Sequence, residues 1–147
     1  MGLYSIRVAG QALALGVAQT LVQVHAPASK RIRVVEWGIS FDGVDPAEAP
    51  VLLDLMRQAS QGTSSTFVPI RWDEAEPAAI GEGRTAFTAE PTTGSVLQSY
   101  QVTPNSGLLV MQYMPGREPV VAADGRFGLR ALAAAAVNAT AYVVFEE

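Results

Sequence analysis

The sequence predicts an all-β fold, an antiparallel two-sheet sandwich of jelly-roll-like form, on three observations. Apolar residues alternate at period two in many short runs, as in Val35, Trp37, Ile39 and Phe41 of "RIRVVEWGISF". Glycine and proline punctuate these runs, so that a strand recurs roughly every 8 to 12 residues. Helical periodicity is weak everywhere. The 147 residues and 15.5 kDa are enough for one compact domain with a sizeable core, taken as residues 1–147, and too few for two.

The first four runs are "LYSIRVA" (3–9), "QTLVQVHA" (19–26), "RIRVVEWGISF" (31–41) and "PVLLDLMRQ" (50–58), separated by Gly10, Gly16, Pro27, Gly43, Pro46 and Pro50. "VLLDLMRQAS" fits a helical face through Leu52, Leu55, Met56 and Ala59, but Val51, Leu53 and Leu55 fit alternation as well, and a strand is expected. The third and fourth runs are expected to pair as a hairpin across the eight-residue acidic loop "DGVDPAEA". Next come "TFVPI" and the turn-rich "RWDEAEPAAIGEGR", in which "GEGR" is expected to be a turn and "DEAEPAAIGEG" has room for one helical turn. Further strands are expected at 85–89, 95–102, 108–114, 119–122, 126–132 and 139–146. In the last, Ala139, Ala141, Val143 and Phe145 form one face and Thr140, Tyr142, Val144 and Glu146 the other. Both faces are largely apolar, so this strand is expected to be covered on both sides. Val35, Trp37, Ile39, Phe41, Val143 and Phe145 are the expected core of these strands.

Composition narrows the function classes. Hydrophobic residues make up 49% and charged residues 16%, a balance of folded chains with extensive buried or contact surface. A net charge of −4 offers no basic stripe for a phosphate backbone, so no nucleic-acid partner is expected. Cysteine is absent, which removes disulfides and thiolate chemistry. The N-terminus lacks the apolar run of a secretion signal and is expected to be the mature start. Ile6 stands where a myristoylation motif needs Ser or Thr. The longest apolar window, "ALAAAAV", is too short to span a membrane, and no membrane partner is expected. Nine arginines against the single Lys30 suggest a GC-rich genome.

Catalytic signals are poor. The one histidine, His25, cannot by itself supply a multi-histidine metal site, and a strand-end polar position is expected for it. Asp73, Glu74 and Glu76 cluster in "WDEAEP", yet nothing local desolvates one carboxylate while keeping another ionised, as glycoside hydrolysis requires. "FDGVD" lacks EF-hand spacing. No enzyme activity, cofactor or metal is expected. The surplus of apolar faces points instead to self-association and binding to a scaffold.

"AGQALAL", "VEWGISFDG", "DLMRQASQGTSS", "TAEPTTG", "MQYMPGREPVV" and "AVNATAYVVFEE" together resemble the head decoration proteins, or capsid cement proteins, of tailed bacteriophages infecting actinobacteria. The resemblance runs from about residue 3 to 147. It implies a jelly-roll-like subunit made in the bacterial host cytoplasm. Homotrimers of it would sit on the outer surface of the virion at three-fold and quasi-three-fold positions and stabilise the lattice of the major capsid protein. It supplies no catalytic residue. Two alternatives stay open: another phage structural protein, of the tail or of head completion, and a carbohydrate-binding β-sandwich that stacks sugars on Trp72, Tyr100 and Tyr113. The candidate assembly contacts are Arg71, Trp72 and Asp73, in a loop expected to project, and Tyr142 and Val144, on the outer face of the last strand.

Overall fold

The computed structural model describes residues 1–42, 49–105 and 107–147. Among them are twelve strands and no helix: β1 (Leu3–Leu13), β2 (Ala18–His25), β3 (Ile32–Asp42), β4 (Val51–Gln58), β5 (Thr63–Phe67), β6 (Ile70–Arg71), β7 (Glu82–Ala89), β8 (Thr93–Val102), β9 (Leu108–Gln112), β10 (Val120–Val121), β11 (Arg126–Leu132) and β12 (Val137–Glu146). They form two antiparallel sheets. Sheet I has the order β10-β3-β12-β1-β6, with β9 also paired to β3; sheet II has the order β5-β7-β2-β11-β4-β8.

The two-sheet sandwich expected from the sequence is therefore the observed fold. Its centre has jelly-roll connectivity: β9-β3-β12-β1 packs on β2-β11-β4-β8, and the chain changes sheets at every step except from β4 to β8 and from β9 to β10. The inner faces hold Ile6, Trp37, Ile39, Val143 and Phe145 from sheet I against Val24, Leu53, Leu55, Phe127 and Leu129 from sheet II, all buried. β12 lies inside sheet I, between β3 and β1, but within the single chain it is not covered on both sides as expected: its inner face is buried, whereas on the outer face Thr140 is exposed and Tyr142 half-buried.

The expected hairpin of the third and fourth runs is not formed. β3 pairs with β12, β9 and β10, whereas β4 pairs with β11 and β8 in the other sheet. Each strand has an apolar inner face, and facing each other across the core buries both faces, which edge-to-edge pairing would not do. Most of the loop once assigned to that hairpin, residues 43–48, lies outside the described residues.

A β-bulge shifts the phase of β3. Glu36 faces Val144 and Val34 faces Phe145, leaving Val35 as the extra residue. Ile32 and Val34 point into the core before the bulge, and Trp37 and Ile39 after it. Val35 is therefore turned away and only half-buried, whereas Phe41, in phase with Trp37 and Ile39 near the end of β3, packs against the core while staying half-buried.

Strands β5, β6 and β7 form an insertion between β4 and β8 that crosses to the opposite edge, where β7 joins β2 and β6 joins β1. Glu82, Gly83 and Arg84 of "GEGR" belong to strand β7 and not to the expected turn; only Gly81 precedes the strand. Gly83 is needed there because a Cβ would stand 2.7 Å from the Phe67 carbonyl oxygen and 2.8 Å from Ile6 Cδ1. The ends of the insertion are clasped together: the Ala59 amide donates to the Thr92 carbonyl at 2.9 Å and the Thr92 amide to Ser60 Oγ at 2.9 Å.

Candidate assembly surface

The insertion crosses the outer face of sheet II over a buried polar cluster. Gly128 leaves a gap in β11, and the Gln58 side chain lies in the space a Cβ there would occupy. Gln23 Nε2 donates to Gln58 Oε1 at 2.6 Å and to the Ser60 carbonyl at 3.0 Å, and Gln58 Nε2 donates to Thr20 Oγ1 at 2.9 Å. Thr20 in turn donates through its hydroxyl and its amide to the Glu90 carboxylate, each at 2.6 Å. Buried amides cost free energy unless bonded, so these bonds fix one geometry for the crossing chain.

The same insertion positions residues 68–80, a strap along the β1 edge of sheet I. The Trp72 amide donates to the Leu3 carbonyl at 2.9 Å, the Tyr4 hydroxyl to the Pro77 carbonyl at 3.0 Å, and the amides of Ile80 and Gly81 to the Glu147 carboxylate at 2.9 and 2.7 Å. The strap thus lies down on the sandwich where the sequence suggested a projecting loop. No helix forms there: Asp73 Oδ1 accepts from the Ala75 amide at 2.9 Å, an Asx turn, and the Asp73 carbonyl accepts from the Glu76 amide at 3.1 Å, which closes a single β-turn. Arg71 donates to the Glu76 carbonyl at 2.8 Å. While the backbone is held, Val68, Ile70, Trp72 and Ile80 remain exposed, at 77, 47, 59 and 56%.

Arg71, Trp72 and Asp73 are therefore together on the strap. Tyr142 and Val144 lie on β12, and β1 separates that strand from β6. Ile70, Ser5 and Val144 stand in register across the outer face. Val144 is only 2% exposed within the single chain, so of the two β12 candidates Tyr142 offers the accessible surface. The Tyr142 ring covers Gly38, where a Cβ would collide with it. Its hydroxyl donates to Glu36 Oε1 at 2.5 Å, and Gln112 Nε2 donates to Glu36 Oε2 at 2.6 Å. Burial, and then the hydrogen bond and charge of Glu36, push the Tyr142 phenol up to about 12. Leu108 and Val110 stand exposed on the same face.

The three aromatics of the carbohydrate alternative do not converge. Tyr100 packs on Trp37 with ring centroids 5.4 Å apart, and Tyr113 accepts from Trp37 Nε1 at 3.1 Å and donates to Gln98 at 3.0 Å. Both close the β8–β9 side of the sandwich, whereas Trp72 is at the opposite edge. His25 lies at the end of β2 with Nε2 2.9 Å from Asp124 Oδ1. Among the described residues, no group of three or more His, Cys, Asp or Glu side chains is arranged to hold a metal ion.

Sequence reasoning missed Val68, Ile70 and Ile80 as exposed residues. The signal was present in "FVPIRW", where Val68, Ile70 and Trp72 alternate around Pro69, a residue that belongs on sheet edges. The Glu36–Gln112 and Gln23–Gln58 pairs had no such signal, because each joins strands distant in sequence. Comparisons with protein-family models, with curated proteins and with solved structures each find no match.

Proposed function

We propose that the chain is a structural virion protein, a homotrimeric decoration protein that binds the outside of an icosahedral phage capsid and stabilises the lattice of the major capsid protein. The observation that carries this reading is the strap: four large apolar side chains held exposed on a backbone fixed at both ends. A docking surface already ordered before binding loses little conformational entropy on contact. Apolar patches of this kind, rimmed by charged groups such as Arg71 and Asp73, mark protein contacts more than solvent-facing loops. The family resemblance supplies the scaffold, and three linked contacts around one axis bind far more tightly than one.

Adding the purified protein to capsids that lack decoration tests the reading, with occupancy counted by electron microscopy. Density at the three-fold and quasi-three-fold positions is expected, together with reduced occupancy for Trp72→Ala. Binding only at a tail or a portal vertex would identify the other phage structural class, and binding to immobilised glycans but not to capsids would identify the carbohydrate class.

A further inference from the structure

The strap is carried by two strand ends that are zipped to each other. Gly2, just before β1, and Glu147, just after β12, exchange both backbone bonds: the Gly2 amide donates to the Glu147 carbonyl at 3.2 Å and the Glu147 amide to the Gly2 carbonyl at 3.1 Å. At its first end the strap joins this platform through backbone, with β6 paired to β1 and the Trp72 amide on the Leu3 carbonyl. Its last end meets a strand partner only at Glu82, where β7 begins to pair with β2. Across residues 73–81 two side chains of the sandwich reach in instead: the Tyr4 hydroxyl, on the Pro77 carbonyl, and the Glu147 carboxylate.

These two holds are unequal. Tyr4 gives one neutral bond and is itself a core residue, packed on Phe145. Glu147 accepts from the Ile80 amide at 2.9 Å through Oε1 and 3.1 Å through Oε2, and from the Gly81 amide at 2.7 Å through Oε2. Its side chain is only 3% exposed, so these are charge-assisted bonds shielded from water, roughly twice as strong as neutral ones. Lys30 Nζ lies 4.0 Å from Oε1 but is half exposed, where water screens the attraction. Residue 81 admits the carboxylate because it is a glycine: a Cβ there would stand 3.2 Å from Oε2 and 3.2 Å from the His25 carbonyl oxygen. Gly81 is buried, so without Glu147 its amide would stay unsatisfied unless the chain swung outward to water, and Ile80 would swing with it. No strap residue belongs to the buried core, although Ala79 packs against it, so that movement leaves the sandwich intact.

We infer that Glu147 is the positioning residue of the strap: its carboxylate holds the Ile80 end down on the sandwich, so that the exposed apolar row is ordered before it meets a partner. The inference rests on the proposed docking role of the strap and names the side chain that makes the strap ready. A carboxylate that only stabilised the sandwich would act on the whole ladder of β12. A latch acts on one end of the strap and on docking.

Glu147→Ala in the full chain is the test, with Glu147→Gln, which keeps one acceptor oxygen, as the conservative variant. Amide hydrogen exchange followed by NMR is expected to speed up at least about ten-fold at Ile80 and Gly81 and to stay unchanged at Trp72, Val143 and Phe145. The concentration needed for half-occupancy of undecorated capsids is expected to rise about ten-fold, since docking must then fix backbone that the parent holds fixed beforehand. Glu147→Gln is expected to fall between the parent and Glu147→Ala in both readings. Unchanged exchange at Ile80 and Gly81 would overturn the inference. So would acceleration that extends to Val143 and Phe145, which would make Glu147 a general support of β12. Accelerated exchange confined to the strap with unchanged occupancy would overturn it as well, because docking would not depend on the latch. Failure of the parent protein to occupy capsids would overturn the decoration reading alone, and acceleration confined to Ile80 and Gly81 would still uphold the latch.

Discussion

Tyr142 shows how one outer-face residue depends on a glycine and a carboxylate far away in sequence. Its ring needs Gly38 beneath it, and its hydroxyl bonds to Glu36, 106 positions away. Gly38→Ala is therefore expected to displace the ring and lower the denaturant midpoint, as read by tyrosine fluorescence and unfolding. The phenol titrates at about 12, above its ordinary value of 10.0. A raised pKa in the folded state stabilises the protonated form, so Tyr142 contributes stability that is complete below pH 10 and is lost as pH rises through about 12. Glu36→Gln removes the carboxylate's share of the shift but not the share from burial. The phenolate absorbance that disappears in Tyr142→Phe should then emerge at lower pH. An unmoved titration would show that Glu36 does not hold the hydroxyl in solution. The position of Tyr142 on the outer face was legible in the sequence from alternation alone, but its partner was not, because no local pattern links β12 to β3.

At the scale of the element, strand existence was legible and strand phase only partly so. Alternation found β3, and it assigned Trp37 and Ile39 to the core correctly. It then extended the same face to Val35, which the bulge turns away. Trp37→Ala is expected to cost about 3–5 kcal/mol, the range for a fully buried aromatic, whereas Val35→Ala should cost under about 1.5 kcal/mol. Equal costs from urea unfolding would place the bulge elsewhere. The buried glutamine pair admits a sharper test. Gln58→Leu takes from Gln23 Nε2 one of its two acceptors, leaving only the Ser60 carbonyl, and should cost about 1–3 kcal/mol, while Gln23→Leu/Gln58→Leu removes both members of the pair and should cost less than the single change. Neither glutamine was legible as buried, since in sequence each is a polar residue at an ordinary alternating position. Their burial arises from the insertion that crosses above them.

For the whole molecule, the sandwich was legible because its signal is local and repeated, while the division into a jelly roll and an insertion was not. Nothing in "ASQGTSSTFVPIRWDEAEP" announces that the chain leaves β4, crosses a sheet and returns beside its point of departure. The structure makes the division plain: no residue between 59 and 92 belongs to the buried cluster of the main core, and only Phe67 and Ala79 pack against it from that segment. The clasp between Ala59 and Thr92 already brings β4 and β8 to hairpin distance. A chain in which residues 61–91 are replaced by a two-residue Asn-Gly turn is therefore expected to fold cooperatively with a β-type circular dichroism spectrum, since β4 and β8 keep their ladder and the core keeps its side chains. It should be less stable than the parent, because Tyr4 loses the Pro77 carbonyl and Ile6 loses its cover at Gly83. It should also sediment as a single chain and leave capsids bare, since the strap is gone. A shortened chain that still associates would place the contact surface on the jelly roll itself, on the face of sheet I around Leu108, Val110 and Tyr142.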